Sequence, residues 1–336
     1  MQLKIYNEIP SGFETIDLDY IHTLIQGPCL FHLKGERDDA LFISTLLHGN
    51  ETTSFSVLQQ LVKKYRTEKL PRDLIILVGN TEAAEKGRRQ LPGQVDFNRI
   101  WAEGDTPMHH FADEVIEYAK KQNLFANIDI HNNTGMNPYY GCVNVMDSHF
   151  LQLASLFSKK IVYFTEPHEV QSNAFAKLCP SVTIEAGRSG DIEGIDVTYN
   201  FVEKVLHLKS FDDAFDFNNV GVFHTIARIR IHPEANVDFD NNDNTSSDIS
   251  FIQDLETKNF SYLPTGYHLG YLKNPELLRV YDDFGVDVTH HYIKLIKSQL
   301  ITNQMFIPSM FTKNIDVMKS DCLGYVMEKL NPEHFL

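Results

Sequence analysis

Leu41-Phe42-Ile43-Ser44-Thr45-Leu46-Leu47-His48-Gly49-Asn50-Glu51-Thr52-Thr53 carries more information about this chain than any other stretch. The unbroken apolar run at 41–47 reads as a strand buried on both faces, as in a parallel sheet. After it, Thr52–Tyr65 places Phe55, Leu58 and Val62 on one helical face. The polar residues between strand and helix thus fall at the carboxyl end of a strand, where open α/β sheets bind ligands. His48 and Glu51, three positions apart, can turn an imidazole nitrogen and a carboxylate oxygen toward one cation.

Working outward, the same alternation extends from about residue 29 to residue 208. Further strands are expected at 30–33, 74–78, 128–130, 143–146, 161–164 and 182–184, and helices at 108–121, 150–157 and 195–208. That pattern predicts an α/β domain over residues 1–215. Beyond Asn219 the texture changes to β-type segments such as 222–231 and 262–272, which predicts a β-rich C-terminal domain over 216–336. Asp240–Asp248 is polar without an apolar anchor and reads as a mobile loop. It fails as an EF-hand, because a loop starting at Asp238 has Asp243 where Gly is needed and Ile249 where Glu is needed.

Composition narrows the function. Thirty Lys and Arg against 45 Asp and Glu leave a net charge of −15, too acidic for a broad phosphate-binding surface, so nucleic acid is not an expected partner. Four scattered cysteines form no C-x-x-C pair, so the expected state is reduced core thiols. With neither a signal-like N-terminus nor an apolar run long enough to span a bilayer, the expectation is a cytoplasmic protein without membrane contact. Oligomeric state is not encoded in any feature of the sequence.

The third metal ligand is expected in Asn127-Ile128-Asp129-Ile130-His131-Asn132-Asn133, where a short apolar strand delivers His131 at its end. Two His and one Glu form a hydrolytic zinc set with a position left for water, and one Zn²⁺ per chain is the expected cofactor. Asp129, two residues before His131, is placed to orient that imidazole. Glu185, which closes the strand Ser181-Val182-Thr183-Ile184, is the candidate general base. Asn98 and Arg99, in Asp96-Phe97-Asn98-Arg99, suit a clamp on a substrate carboxylate. Of Arg88 and Arg89, which could steady an oxyanion or a second carboxylate, Arg88 is the one expected to face substrate.

Taken together, these segments resemble the succinylglutamate desuccinylase/aspartoacylase family of zinc carboxypeptidase-like hydrolases. The likeness lies in H-G-N-E at His48–Glu51, D-F-N-R at Asp96–Arg99, D-I-H-N-N at Asp129–Asn133 and T-I-E-A-G at Thr183–Gly187. It implies a mixed, largely parallel sheet flanked by helices, zinc on His48, Glu51 and His131, Glu185 as base, and a small anionic N-acyl amino acid as substrate. Asn80-Thr81-Glu82 stands where relatives carry Asn-Pro and then a polar or Arg residue, which points away from aspartoacylase proper. Two other readings are a metallocarboxypeptidase acting on short peptides and a non-catalytic module that binds a small acid.

Overall fold

The computed structural model describes residues 2–212 and 217–331. Its chain divides into two compact units, Met1–Asn132 with Tyr139–Val220, and Asn133–Pro138 with Gly221–Leu336. The expected boundary between residues 215 and 216 lies outside the described residues. No described helix is long and apolar enough to cross a membrane.

The first unit is built on β1 (Lys4–Tyr6), β2 (Cys29–Leu33), β3 (Ala40–Thr45), β4 (Leu74–Val78), β5 (Leu124–His131), β6 (Tyr140–Val143), β7 (Lys160–Tyr163) and β8 (Ser181–Glu185). Their order across the sheet is β1-β2-β4-β3-β5-β8-β6-β7. Parallel pairing holds for β4-β3, β3-β5 and β5-β8, while β2-β4 and β8-β6 run antiparallel. The central strands β3 and β4 are buried at every position, which is why they read as unbroken apolar runs. Helices α1 (Thr53–Tyr65), α2 (Thr81–Ala84), α3 (Pro107–Ala119), α4 (Ser148–Phe157), α5 (Gln171–Phe175) and α6 (Ile192–His207) accompany the sheet. Helix α3 buries Phe111, Ala112, Val115 and Ala119 in a cluster with Phe42, Ile75, Leu77 and Trp101. The fold is thus the expected mixed, largely parallel α/β type.

The first strand of the opening stretch is shorter than its apolar run suggests. It ends at Thr45, because Leu46 turns into the left-handed region with φ 53°. That turn is held by a hydrogen bond from the Leu46 N–H to Ser54 Oγ, and by the Asn80 N–H donating to the Leu46 carbonyl. Gly49 follows, packed so closely on Ala83 and Ala84 that a Cβ there would collide with their backbone. His48 and Glu51 are therefore set by a rigid turn.

The second unit contains β9 (Gly221–Ile231), β10 (Val237–Asp238), β11 (Ile249–Phe251), β12 (His268–Leu272), β13 (Leu278–Asp282), β14 (Ile293–Ile296), β15 (Gln299–Thr302), β16 (Ile307–Ser309) and β17 (Gly324–Lys329). β9 is flanked by antiparallel β13 and β17, and β16 pairs with β17. A separate sheet runs β10-β11-β12-β15-β14. Leu263, Leu269, Leu300, Phe306 and Val326 lie in their shared core. The polar Asp240–Asp248 segment, expected to be mobile, is tied down at several points. The Asn241 N–H donates to the Phe251 carbonyl, the Asp248 N–H to the Asn236 carbonyl, and Asn241 Oδ1 meets His268 Nε2 at 2.7 Å.

Candidate metal centre

Register brings the site together. β3 and β5 lie side by side with Ser44 opposite Asp129, and β5 and β8 place His131 directly opposite Glu185. Asp129 and His131 are two residues apart on one strand and share a face. The turn after β3 supplies His48 and Glu51. Donor atoms of His48, Glu51 and His131 lie within 4.8 Å of one another, and all three side chains are buried.

The orientation of the two rings is the decisive detail. His48 Nδ1 is 2.7 Å from Glu51 Oε1, His131 Nδ1 is 2.8 Å from Glu51 Oε2, and the two Nδ1 atoms are 3.2 Å apart. On their far sides, His48 Nε2 meets Asp96 Oδ1 at 3.0 Å and His131 Nε2 meets Asp129 Oδ2 at 2.9 Å. An ionised carboxylate only accepts, so a ring nitrogen facing one donates; Asp96 and Asp129 take the outer nitrogens and thereby turn both Nδ1 atoms inward, toward Glu51. Such a buried cluster is neutralised either by protons on the inward nitrogens or by a cation that replaces them. This donor set, borderline-soft nitrogen plus one carboxylate, fits Zn²⁺.

In the metal-free chain a proton on His131 takes a cation's place. Burial alone raises Glu51, but the His48 and His131 charges outweigh it and hold the carboxyl below its ordinary range. For His131, burial disfavours the proton, yet the carboxylates of Asp129 and Glu51 prevail and raise it well above the usual imidazole value. Asp96 is also held low despite burial, by the hydrogen bond from His48 and the charges of Arg89 and Arg99. Glu185 behaves oppositely: burial pushes it up to about 8, with His131 opposing and Glu51 adding to the rise. Its Oε2 is shielded from solvent and has no hydrogen-bond partner among the described residues.

The remaining expected residues fall at different distances from this centre. Buried Asn98 turns Nδ2 to within 3.2 Å of His131 Nε2, because its Oδ1 accepts the Gln171 backbone N–H at 2.9 Å. Gln171 is fixed in turn by a reciprocal amide pair with Asn127, at 3.0 and 2.9 Å. Arg99 is partly buried and donates to the Asn98 carbonyl at 2.8 Å. Arg88 is exposed. Arg89 is the arginine that reaches inward, with Nη2 2.9 Å from Asp96 Oδ2 and Nη1 3.7 Å from Glu51 Oε1.

Two residues here had no role assigned from sequence. Asp96 gives His48 the same outer support that Asp129 gives His131, a symmetry visible only once residues 48 positions apart are in contact. Asn132 ties three segments: its N–H donates to Glu51 Oε2 at 3.1 Å, and its Nδ2 donates to Thr53 Oγ1 at 2.9 Å and to the Gly187 carbonyl at 3.0 Å. The signal for both was present, since each lies inside a motif already singled out.

Comparison with known proteins follows the same lines. Residues 38–208, half of the chain, match the succinylglutamate desuccinylase/aspartoacylase catalytic domain. Over 91 residues the chain is 33% identical to a succinylglutamate desuccinylase of Pseudomonas paraeruginosa, covering 26% of this chain and 27% of that protein. The alignment thus spans about a quarter of that relative's length. Among solved structures, a succinylglutamate desuccinylase/aspartoacylase from Rhodobacter sphaeroides superposes with a TM-score of 0.59 at 13% identity, covering 89% of this chain and 88% of the other. Murine aminoacylase 3 does so with a TM-score of 0.54 at 15% identity, covering 88% and 95%. These two likenesses establish the shared fold. All the residues converging on His48, Glu51 and His131 lie inside the matched region, and the chain belongs to the succinylglutamate desuccinylase/aspartoacylase family.

Proposed function

We propose that this protein is a zinc-dependent amidohydrolase that cleaves the linear amide of a small, anionic N-acyl amino acid. The observation that carries this reading is the inward pair of Nδ1 atoms, 3.2 Å apart against one carboxylate, with both outer nitrogens held by aspartates. His48, Glu51 and His131 would hold the ion. Zn²⁺ bound there would supply Lewis acidity and lower the pKa of water to about 7.

The chain's own groups do the rest. Glu185, opposite His131 on the neighbouring strand, accepts a proton from the attacking water and delivers it to the leaving amine. In the metal-free chain burial holds its proton affinity above the ordinary carboxylate range, and a cation bound nearby would lower it toward that of a base that can take and return a proton. Arg89, pointing toward Glu51 and Asp96, steadies the negative charge that grows on the scissile carbonyl oxygen. Asn98 and Arg99 hold a substrate carboxylate, the amide by one donor and the guanidinium by its fork. The relatives' names include both a succinylglutamate desuccinylase and an aminoacylase, which supports the N-acyl amino acid class.

The test is a panel of N-succinyl and N-acetyl amino acids beside dipeptides and longer peptides, on protein whose metal content has been measured. Release of free amino acid from an N-acyl substrate is expected. Glu185→Gln should keep the metal and lose about 10²–10⁴-fold in turnover. Hydrolysis of peptides alone, or an undiminished Glu185→Gln enzyme, would overturn the reading.

A further inference from the structure

The sheet face that carries His131 and Glu185 stays polar for two further steps toward the core. Alternation along β5 puts Asn127, Asp129 and His131 on one face, and register sets Ser181, Thr183 and Glu185 opposite them. At the bottom of this ladder, Asn127 and Gln171 are both fully buried. They exchange two amide hydrogen bonds, at 3.0 and 2.9 Å, and Asn127 Nδ2 also donates to Ser181 Oγ at 2.7 Å. Two apolar side chains of similar size would fill this space with no polar group to desolvate.

The amide pair pins the start of α5. Gln171 is the first residue of that helix, and Val170 before it has no side chain that can cap it. The Gln171 N–H donates instead to Asn98 Oδ1 at 2.9 Å. A backbone N–H can only donate, so this bond settles the rotation of the Asn98 amide, with its oxygen toward α5 and its nitrogen 3.2 Å from His131 Nε2. Left to itself, the amide would turn the other way. His131 Nε2 already donates to Asp129 Oδ2, so Asn98 Nδ2 meets a second donor there, and a freely rotating amide would face that ring with its oxygen. The Gln171 N–H holds it against that preference.

We infer that Gln171 and Asn127 are positioning residues: their amide pair anchors the Gln171 N–H and so keeps Asn98 Nδ2 presented as a donor to the substrate carboxylate. This rests on the proposed role of Asn98 in the carboxylate clamp. A carboxylate supplies Nδ2 with the acceptor that a donating ring nitrogen cannot. Because the amide is already turned, binding does not have to freeze its rotation. The carboxylate is held alike before and during bond cleavage, so the pair acts on substrate affinity more than on the chemical step.

Two substitutions and their combination test this in the full chain. Asn127→Leu and Gln171→Met each leave a buried amide without its partner and should lower the melting temperature by about 5 °C, whereas the two together should recover most of that loss. Function should not recover with stability. In the double variant the KM for an N-acyl amino acid should stay about tenfold above wild type, with kcat changed by less than about twofold. Ser181→Ala, a milder change that removes one acceptor of Asn127, should raise KM in the same direction by about threefold. Independently of turnover, ¹⁵N relaxation of the Asn98 side-chain amide, assigned by its disappearance in Asn98→Asp, should report a rigid group in the metal-free wild type and a mobile one in the double variant. A wild-type KM in the double variant, or an Asn98 amide that stays equally rigid there, would overturn the proposal. Wild-type protein that hydrolyses no N-acyl amino acid would count against the substrate reading, and the mobility of the Asn98 amide would then decide the positioning role by itself.

Discussion

Among the described residues, two groups of three bring histidine and carboxylate together at ligand distance, and they differ in nearly everything else. His48, Glu51 and His131 are buried, whereas Glu166 and His168 are exposed and Glu169 is half-buried, yet both trios hold their donor atoms within 4.8 Å. Around the buried trio, Asp96 and Asp129 take the outer ring nitrogens and so aim both Nδ1 atoms inward. At the exposed trio, His168 Nδ1 faces Glu166 at 3.3 Å and Glu169 at 3.9 Å, and among the described residues no carboxylate holds its Nε2. Proximity of ligand types is therefore a weak criterion. What distinguishes the buried trio is a surrounding structure that turns two ring nitrogens and a carboxylate onto one point, which is what a metal ion would require.

The sharpest way to break that comparison is to remove a ligand from the buried trio. Glu51→Gln or His131→Ala should release the metal and abolish turnover, with a loss in metal affinity well beyond the ~100-fold typical of an outer partner. Elemental analysis after dialysis, beside the amidase assay, checks this. Retention of a full equivalent of metal in either variant would place the ion elsewhere.

The next effect concerns the outer aspartates. Asp96→Asn and Asp129→Asn should each lower metal affinity by about 10–100-fold while leaving the fold intact, because the amide no longer dictates which ring nitrogen is protonated. Competition with a chromophoric chelator measures it. Equal losses in the two variants would support the symmetry seen here, and a loss confined to Asp129→Asn would reduce Asp96 to a partner of Arg89.

How far such details can be read in advance depends on whether a local period carries them. His131 and Asp129 could be placed because a strand repeats every two residues, and Glu185 because it closes an apolar run. Asp96 and Arg89 come from the irregular segment between α2 and α3, where no period says which side chain turns inward, and the choice between Arg88 and Arg89 fell the other way. Likewise the expected strand at 262–272 is regular only from His268, since Gly266 turns at φ 84° and Leu263 makes an isolated bridge to Phe306. β1 is exposed along its whole length and so left no apolar run to find.

A smaller effect follows from Glu185. In metal-free protein its folded-state pKa is about 8 against 4.5 for the free side chain, so the folded state binds the proton more tightly than the unfolded chain. Its contribution to stability is then complete below pH 4.5 and is lost as pH rises through 8. Glu185→Gln should remove this loss, making the variant more stable than wild type at pH 9 by on the order of 2 kcal/mol, discounted for partial exposure. Urea unfolding of chelator-treated protein at pH 5 and pH 9 measures the difference. A wild-type stability that does not fall over this range would mean that the carboxyl is solvated in the folded chain.

The smallest expected effect is the one at the exposed trio, and it is the most direct control on the comparison. Glu166→Gln combined with Glu169→Gln deletes both carboxylates that flank His168 without touching a buried atom of the sheet. If orientation by outer carboxylates is what makes a centre, this double variant should keep the metal stoichiometry, the metal affinity and the turnover of wild type, because exposed acidic groups near a histidine are already solvated and gain little from an ion. A second equivalent of metal in the wild-type chain that disappears in the double variant would show that close donors suffice without outer carboxylates to orient them.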